Sequence, residues 1–561
     1  MKSADAGNSH LRDFTTDARV LFIAAIAVVV ATAGLFAGIA LLKLIRLATN
    51  IAYFGQFTLA DLKLENTPLG LAAVIVPVIG ALIIGLMARF GSEKIRGHGI
   101  PEAIEAILLG RSRLDAKVAV LKPLSSAISI GSGGPFGAEG PIIMTGGAFG
   151  SMLAQLFHLT AAERKTLLVA GAAAGMSATF NAPIASVFLA VELLLFELKP
   201  RSLVPVALAS VTAAYVRQLR QGGGAIFPLP ALPASLSLSP SALIACAVLG
   251  VAAGCLSAAL TAMVYASEDA FGSLKKLHWM WWPAIGGLVV GIGGLICPQA
   301  LGVGYDQIQS LLMGGRGAGA TVRLLVVKSV IWAVSLGSGT SGGVLAPLLV
   351  MGAALGVLAT PLLPAVGASF WPLVGMSAIL GGTMRAPLTA LVFAIELTGR
   401  FSMSLPLLTA CAAAHAFTVL VLKRSILTEK VARRGFHVSR EYAIDPLEIL
   451  TAREVMRPGP FDQGASADGN TRWTSARADE PLRLVVHRMA ETGCTALPVV
   501  DAADPSQRLG LVTLEDVLKA RLRHLEEERR REGIVPLNVV RPLARRFAGL
   551  RRGRGRARKA G

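Results

Sequence analysis

From residue 20 to about 422 the chain is a succession of long apolar runs, interrupted at intervals by Gly and Pro rather than by charges. Val20 to Leu42 and Pro68 to Met87 contain no charged residue, and each reaches the roughly 20 residues a helix needs to cross a bilayer. The pattern predicts an all-α, multi-pass membrane protein. At Lys423 the composition turns charged and mixed, so the membrane domain is expected to end near residue 440. Beyond it the period shortens. An amphipathic helix within "PLRLVVHRMAETG", strands at Ala496 to Val500 and Leu509 to Thr513, and a helix from Leu514 predict a small α/β unit in the order β-α-β-β-α. "HLEEERRREG" reads as a separate short charged helix with i,i+4 support. The expected divisions are 1–19, an N-terminal cytoplasmic segment; 20–440, the membrane domain; 447–525, the α/β unit; and 526–561, a basic tail.

The membrane part repeats itself at an offset of about 205 residues. Gly97-His-Gly-Ile answers Gly302-Val-Gly-Tyr. Gly131-Ser-Gly, Pro141, Gly146 and Gly150 answer Gly337-Ser-Gly, Pro347, Gly352 and Gly356. Pro183 and Glu192 in "NAPIASVFLAVEL" answer Pro387 and Glu396 in "RAPLTALVFAIEL". Two halves of one unit, about 20–218 and 240–435, are therefore expected. Repeated halves whose apolar segments break at matching places point to a transport site near the bilayer midplane. The breaks lie at Gly97 to Pro101, Gly131 to Pro141 and Gly337 to Pro347.

Each break carries proline just before an apolar run, which suits a helix start inside the membrane. Such a start offers free N–H groups at the positive end of a helix dipole, and the glycines let a ligand approach the backbone. No Arg or Lys occurs from Ser129 to Glu139 or from Ser335 to Pro347. Partial charges there can bind an anion and release it, whereas full charges would trap it. Glu139, two residues before Pro141, stands at one of these mouths. Ionised, its carboxylate competes with a permeant anion; protonated, it can leave, as a gate or a proton carrier. Mere capping of the helix is the plainer alternative.

Composition agrees: 53% hydrophobic, 16% charged, mean hydropathy +0.61. The net charge of +19 would suggest a nucleic-acid partner were it not that about half of it sits in Arg541, Arg545, Arg546, Arg551, Arg552, Arg554, Arg556, Arg558 and Lys559. That places the C-terminus in the cytoplasm, near anionic lipid, with no nucleic acid implied; a solvated disordered tail without a specific partner is the plainer reading. The segment before residue 20, with Asp5, Asp13 and Asp17, has no signal-peptide pattern. Five scattered cysteines support neither a disulfide framework nor a metal site. No catalytic constellation of an intramembrane enzyme appears, so enzymatic function is not expected.

Over about residues 20 to 435 the chain resembles the CLC family of chloride channels and proton/chloride exchangers. The resemblance is carried by Gly97-His98-Gly99-Ile100-Pro101, Gly137-Ala138-Glu139-Gly140-Pro141 and Gly343-Val344-Leu345-Ala346-Pro347. It implies a homodimer in the cell membrane, each subunit with two inverted halves and its own chloride pathway. It also implies that Glu139 is the external gate and that the N–H groups of Val344 and Leu345 help hold the anion. Three positions depart from the best-known exchangers. His98 stands where they carry a serine, Leu427 where they carry an anion-coordinating tyrosine, and Leu193 where they carry an inner proton-relay glutamate. The first raises an acid-enhanced conductance as an expectation, since a histidine near its ordinary pKa of about 6.5 would gain charge beside the path. The other two tilt the expectation toward passive, channel-like conduction gated by Glu139. Proton/chloride exchange is the alternative, with Glu192, Glu197 or water relaying protons. A fluoride exporter or a proton-coupled solute transporter fits less well.

The α/β unit resembles a CBS domain. In that family residues spaced as Thr513 and Asp516 can hold the ribose of an adenine nucleotide. A dimerisation module without a ligand is the alternative.

Overall fold

The computed structural model describes residues 18–108, 110, 112–229, 239–436, 447, 450–459, 475–501, 504 and 506–531. The acidic N-terminal positions, the basic tail beyond Val540 and most of the insertion after Pro460 lie outside them. The chain divides into two compact units, Met1–Arg440 and Glu441–Gly561.

Among the described residues, eight helices of the first unit are long and apolar enough to cross a membrane. The uncharged runs seen in the sequence lie within Arg19–Phe54 and Gly70–Phe90, apart from Pro68 and Leu69. The repeat is visible in the element order. Ile100–Leu108, Ala116–Gly131, Glu139–Gln155, Ala161–Phe180 and Pro183–Leu189 recur as Tyr305–Leu312, Ala318–Gly337, Leu345–Ala359, Phe370–Met384 and Pro387–Thr398. In a membrane, apolar surface alone does not drive helices together, so close backbone approach at small residues must do it. Each half meets this demand at the same place. A Cβ on Gly146 would collide with the carbonyl oxygen of Gly171 and one on Gly171 with that of Gly146; the repeat-related Gly352 and Gly375 block each other in the same way.

The two halves are also tied by reciprocal caps. Glu192 accepts from the N–H of Leu388 (3.2 Å) and from the N–H and hydroxyl of Thr389 (2.8 and 2.6 Å), capping Pro387–Thr398. Glu396 accepts from the N–H of Ile184 and Ala185 (3.0 and 2.8 Å), capping Pro183–Leu189. Each acid sits at the far end of the helical segment that its own proline starts and serves the other half.

The second unit is a four-stranded sheet in which Ala496–Val500 lies between Ala476–Arg477, parallel, and Arg508–Thr513, antiparallel; Arg457–Pro458 adds an antiparallel edge to Arg508–Thr513. Leu482–Thr492 and Leu514–Arg531 are its main helices. The charged stretch read as a separate short helix is instead the continuation of Leu514–Arg531, because nothing between Leu514 and Arg531 breaks the helix.

Candidate functional site

The three sequence breaks meet. The N–H of Gly97 donates to the carbonyl of Thr340 (2.8 Å), and Gly137 and Gly343 exchange backbone hydrogen bonds (3.0 and 2.7 Å). Helices start from this junction at Ile100, Glu139 and Leu345. Gly97 and Gly99 take φ of 84° and 89°, a region that penalises any side chain. The crossing also needs bare backbone: a Cβ on Gly140 would run into the carbonyl oxygen of His98. Gly97, His98, Gly99, Ile100, Pro101, Gly137, Gly140, Val344 and Leu345 are thus gathered in one buried place around three helix N-termini.

Glu139 is the first residue of its helix and is fully buried. Its carboxylate lies folded over Gly137 and against Gly343, where a Cβ would come 2.9 Å from Oε2, and beside the backbone of Ala346. Oε2 is buried without a well-formed hydrogen bond. The carboxylate occupies the space at two helix mouths, facing the backbone N–H of its own residue at one and of Ala346 at the other. Tyr305, which the sequence reading passed over, brings its hydroxyl to 3.5 Å from Oε1.

On the other side of the junction lies a cavity of about 710 Å³ lined by Arg96, Glu102, Lys430, Arg433 and Arg434 among others, with Gly97 on its wall. Glu102 accepts from the N–H of Gly99 (2.9 Å) and pairs with Lys430 (2.9 Å). His98 is buried, with Nδ1 unpartnered, in the field of Lys430, Lys122 and Arg434 as well as Glu102.

Two buried lysines scaffold these turns. Lys122 Nζ donates to the carbonyls of Ile95 and Gly97 (both 2.8 Å); Lys328 Nζ donates to those of Ala300 and Gly302 (3.1 and 3.0 Å). They are repeat-related, each a buried lysine five residues after an exposed cation, Lys117 in one helix and Arg323 in the other, and that matched placement was the signal that could have found them. Ser341 is a third such omission. Its hydroxyl meets those of Ser125 (3.1 Å) and Ser126 (2.9 Å), joining the Thr340 turn to the helix Ala116–Gly131.

Leu427 is buried in the helix Ile426–Arg433, which packs on Ile100–Leu108 and whose first carbonyl, that of Ile426, accepts from the Tyr265 hydroxyl (2.5 Å). Leu193 is fully buried within a π-helical turn, Ala190–Leu195. Of the acids considered as substitute relays, Glu192 has its carboxylate taken up by backbone and hydroxyl donors. Glu197 pairs only loosely, at 3.7 to 3.9 Å, with Lys165, Lys199 and Arg201. Glu192→Gln is therefore expected to lower stability, by about 1.5–3 kcal/mol for a charge-assisted cap, and to leave transport stoichiometry alone. Melting of the purified protein alongside its proton-to-chloride ratio checks both.

In the second unit Asp516 accepts from the hydroxyl and N–H of Thr513 (2.6 and 3.1 Å) and from Arg457 (2.8 Å). Burial pushes its carboxyl up, but the bonds from Thr513 and Arg457 outweigh that and hold it below the usual carboxylate range. With the folded value lowered, the stabilisation is present at pH 7 and is lost as pH falls below about 4, through the folded value. Arg457→Ala should speed amide exchange at 508–518 of the full chain by up to about fivefold at neutral pH, the scale of one partly exposed ion pair. Unchanged exchange would make the pair incidental.

The sequence model of the family described as Voltage gated chloride channel matches residues 79–419, and that of the CBS domain matches 452–523. The H(+)/Cl(-) exchange transporter ClcA of Klebsiella pneumoniae subsp. pneumoniae is 30% identical over 433 residues, 73% of this chain and 88% of the relative. Among solved structures, that of a slow cyanobacterial Cl-/H+ antiporter superposes with a TM-score of 0.65 at 22% identity, covering 75% of this chain and 99% of the other. A CLC-type fluoride/proton antiporter gives 0.59 at 20% identity, covering 72% and 97%. These two structures share the fold.

Proposed function

This chain belongs to the CLC family and carries a CBS domain, and on that premise we propose that it exchanges chloride for protons across the cell membrane with Glu139 as the shared gate. The observation that carries the reading is the Glu139 carboxylate, buried and lying where two helix N-termini and the Gly137–Gly343 pairing converge. An anion held by the N–H groups of Ile100, Val344 and Leu345 and the adjoining glycines needs that same space, so anion and carboxylate alternate there. A carboxylate that leaves carries a proton. The similarity to a named exchanger over 88% of its length favours exchange over the passive conduction expected from the sequence.

Protons reaching Glu139 bypass Leu193, and Glu197, with loose ion pairs only, is the acid available to take them up. A second reading, uncoupled conductance, rests on Leu193, which offers no proton site. We assign His98 no part in proton movement: its buried ring faces the cations Lys430, Lys122 and Arg434 as well as the Glu102 carboxylate. His98→Ser should then leave the pH dependence of chloride flux as it is in the wild type; a shifted profile would restore the acid-enhanced conductance. The apolar Leu427 offers no hydroxyl of its own to an anion.

A homodimer with one pathway per subunit and a cytoplasmic C-terminus, supported by the basic tail, completes the proposal. For the CBS domain a dimerisation role is the reading; an adenine nucleotide using Asp516 for its ribose would have to displace Arg457. Reversal potentials in planar bilayers test the main reading. For an exchanger they move with the pH gradient at fixed chloride; for a conductance they follow the chloride gradient alone.

A further inference from the structure

We propose that Tyr305 is the latch of the gate: its hydroxyl holds the Glu139 carboxylate in the blocking position, so that opening requires this contact to be given up. The inference rests on the reading of Glu139 as gate. Tyr305 is a positioning residue in it, acting on the carboxylate and not on the transported ions.

Three observations support the latch. The first is contact. The phenolic oxygen lies 3.5 Å from Oε1 of Glu139 and is the side-chain donor recorded for that carboxylate, whose other oxygen is buried without a partner. The distance lies beyond the roughly 2.5–3.0 Å of a fully formed O–H···O bond, so the contact is weak. A short charge-assisted bond would hold the carboxylate about twice as strongly, and a latch that must release on every cycle is better served by the weaker one.

The second is immobility. The Tyr305 ring stands edge-on to Phe180 (centroids 6.2 Å apart, planes at 89°) and tilted against Phe227 (6.2 Å, 56°), while Phe180 is packed in turn on Phe393 (5.1 Å, 73°). The backbone before it is clamped by Lys328 on the carbonyls of Ala300 and Gly302, and by the N–H of Gly302 on the carbonyl of Gly133 (3.1 Å). Gly304, at φ 86°, then starts the helix Tyr305–Leu312. The hydroxyl is a neutral donor at a fixed point, and it stays behind when the carboxylate swings away.

The third is the repeat. Tyr305 occupies the position that Ile100 holds in the first half, on the same Gly-x-Gly turn clamped by the same buried lysine, Lys122 there and Lys328 here. One scaffold presents backbone N–H groups to the pathway in the first half and a phenol to the gate in the second. The apolar counterpart shows that packing alone does not call for a hydroxyl at this position.

Chloride flux at neutral pH in liposomes tests this with four proteins: wild type, Tyr305→Phe, Glu139→Gln and the double variant. Phenylalanine keeps the ring packing and removes only the hydroxyl. Tyr305→Phe is expected to raise flux about two- to threefold, the lower end for one net hydrogen bond, when Glu139 is present, and to leave it unchanged in the Glu139→Gln background. The same factor in both backgrounds would make the hydroxyl a packing feature, and no change in the wild-type background would remove the latch outright. If Glu139→Gln by itself left chloride and proton movement at wild-type levels, Glu139 would not be the gate and the underlying reading would fall, whatever Tyr305→Phe did.

Discussion

Glu139→Gln stops proton movement and leaves chloride moving. Glutamine has nearly the size of glutamate, so the helix start at residue 139 and the crossing of the Gly137 and Gly343 strands are kept. What is lost is the proton. An amide neither carries one nor bears the charge that competes with an anion for the converging helix N-termini. Proton flux driven by a chloride gradient should fall to background, while chloride efflux continues and loses its dependence on external pH. This outcome separates the gate from a helix cap, since removal of a cap would lower stability without uncoupling anything. Parallel records of chloride and pH in liposomes containing the variant provide the measurement.

Gly137→Ala and Gly140→Ala, three residues apart, should have opposite characters. A methyl group at Gly137 meets Oε2 of Glu139, the free end of a flexible side chain. The carboxylate can move, so the protein should fold normally with its gate displaced. Chloride flux at neutral pH should rise, and the Gly137→Ala change should have no further effect when Glu139 is glutamine. A methyl group at Gly140 meets the carbonyl oxygen of His98, with the Gly343 Cα 3.4 Å away. Here backbone must yield, and the turn that must yield is the one Lys122 and the Gly97–Thr340 bond hold in place. Overpacking of this kind costs typically about 1–3 kcal/mol, so Gly140→Ala should give less folded protein and, in what remains, little flux. Thermal melting and flux of the two variants side by side decide it; equal stability would mean the crossing is looser than described.

The fold was legible because membrane physics writes it coarsely. Runs such as Val20 to Leu42 have few structural options in lipid, and a duplicated pattern of Gly, Pro and Glu registers one half against the other. The meeting of the three breaks was legible for a related reason, since helices that start inside a membrane must aim their free N–H groups at something. What composition and spacing do not carry is direction. Glu192 and Glu197 look alike in the sequence, yet Glu192 is taken up by the Thr389 helix start while Glu197 is held only by loose ion pairs. Lys122 and Lys328 share their helices with the exposed Lys117 and Arg323, and their service to loop carbonyls depends on contacts about 25 residues away in the chain. Tyr305 gave no signal of its own. Its meaning lies in a hydroxyl reaching a carboxylate 166 positions distant, which appears only once the halves are folded onto each other. The short charged helix was misjudged because charge patterning marks a helix face well and a helix start poorly.

The most direct test of the central claim loads liposomes containing the wild-type protein with chloride, clamps the membrane potential, and records chloride efflux and external pH together. Chloride leaving is expected to drive protons inward against their gradient, so that the medium turns alkaline in proportion to the chloride released. Fast chloride efflux with a flat external pH would contradict it.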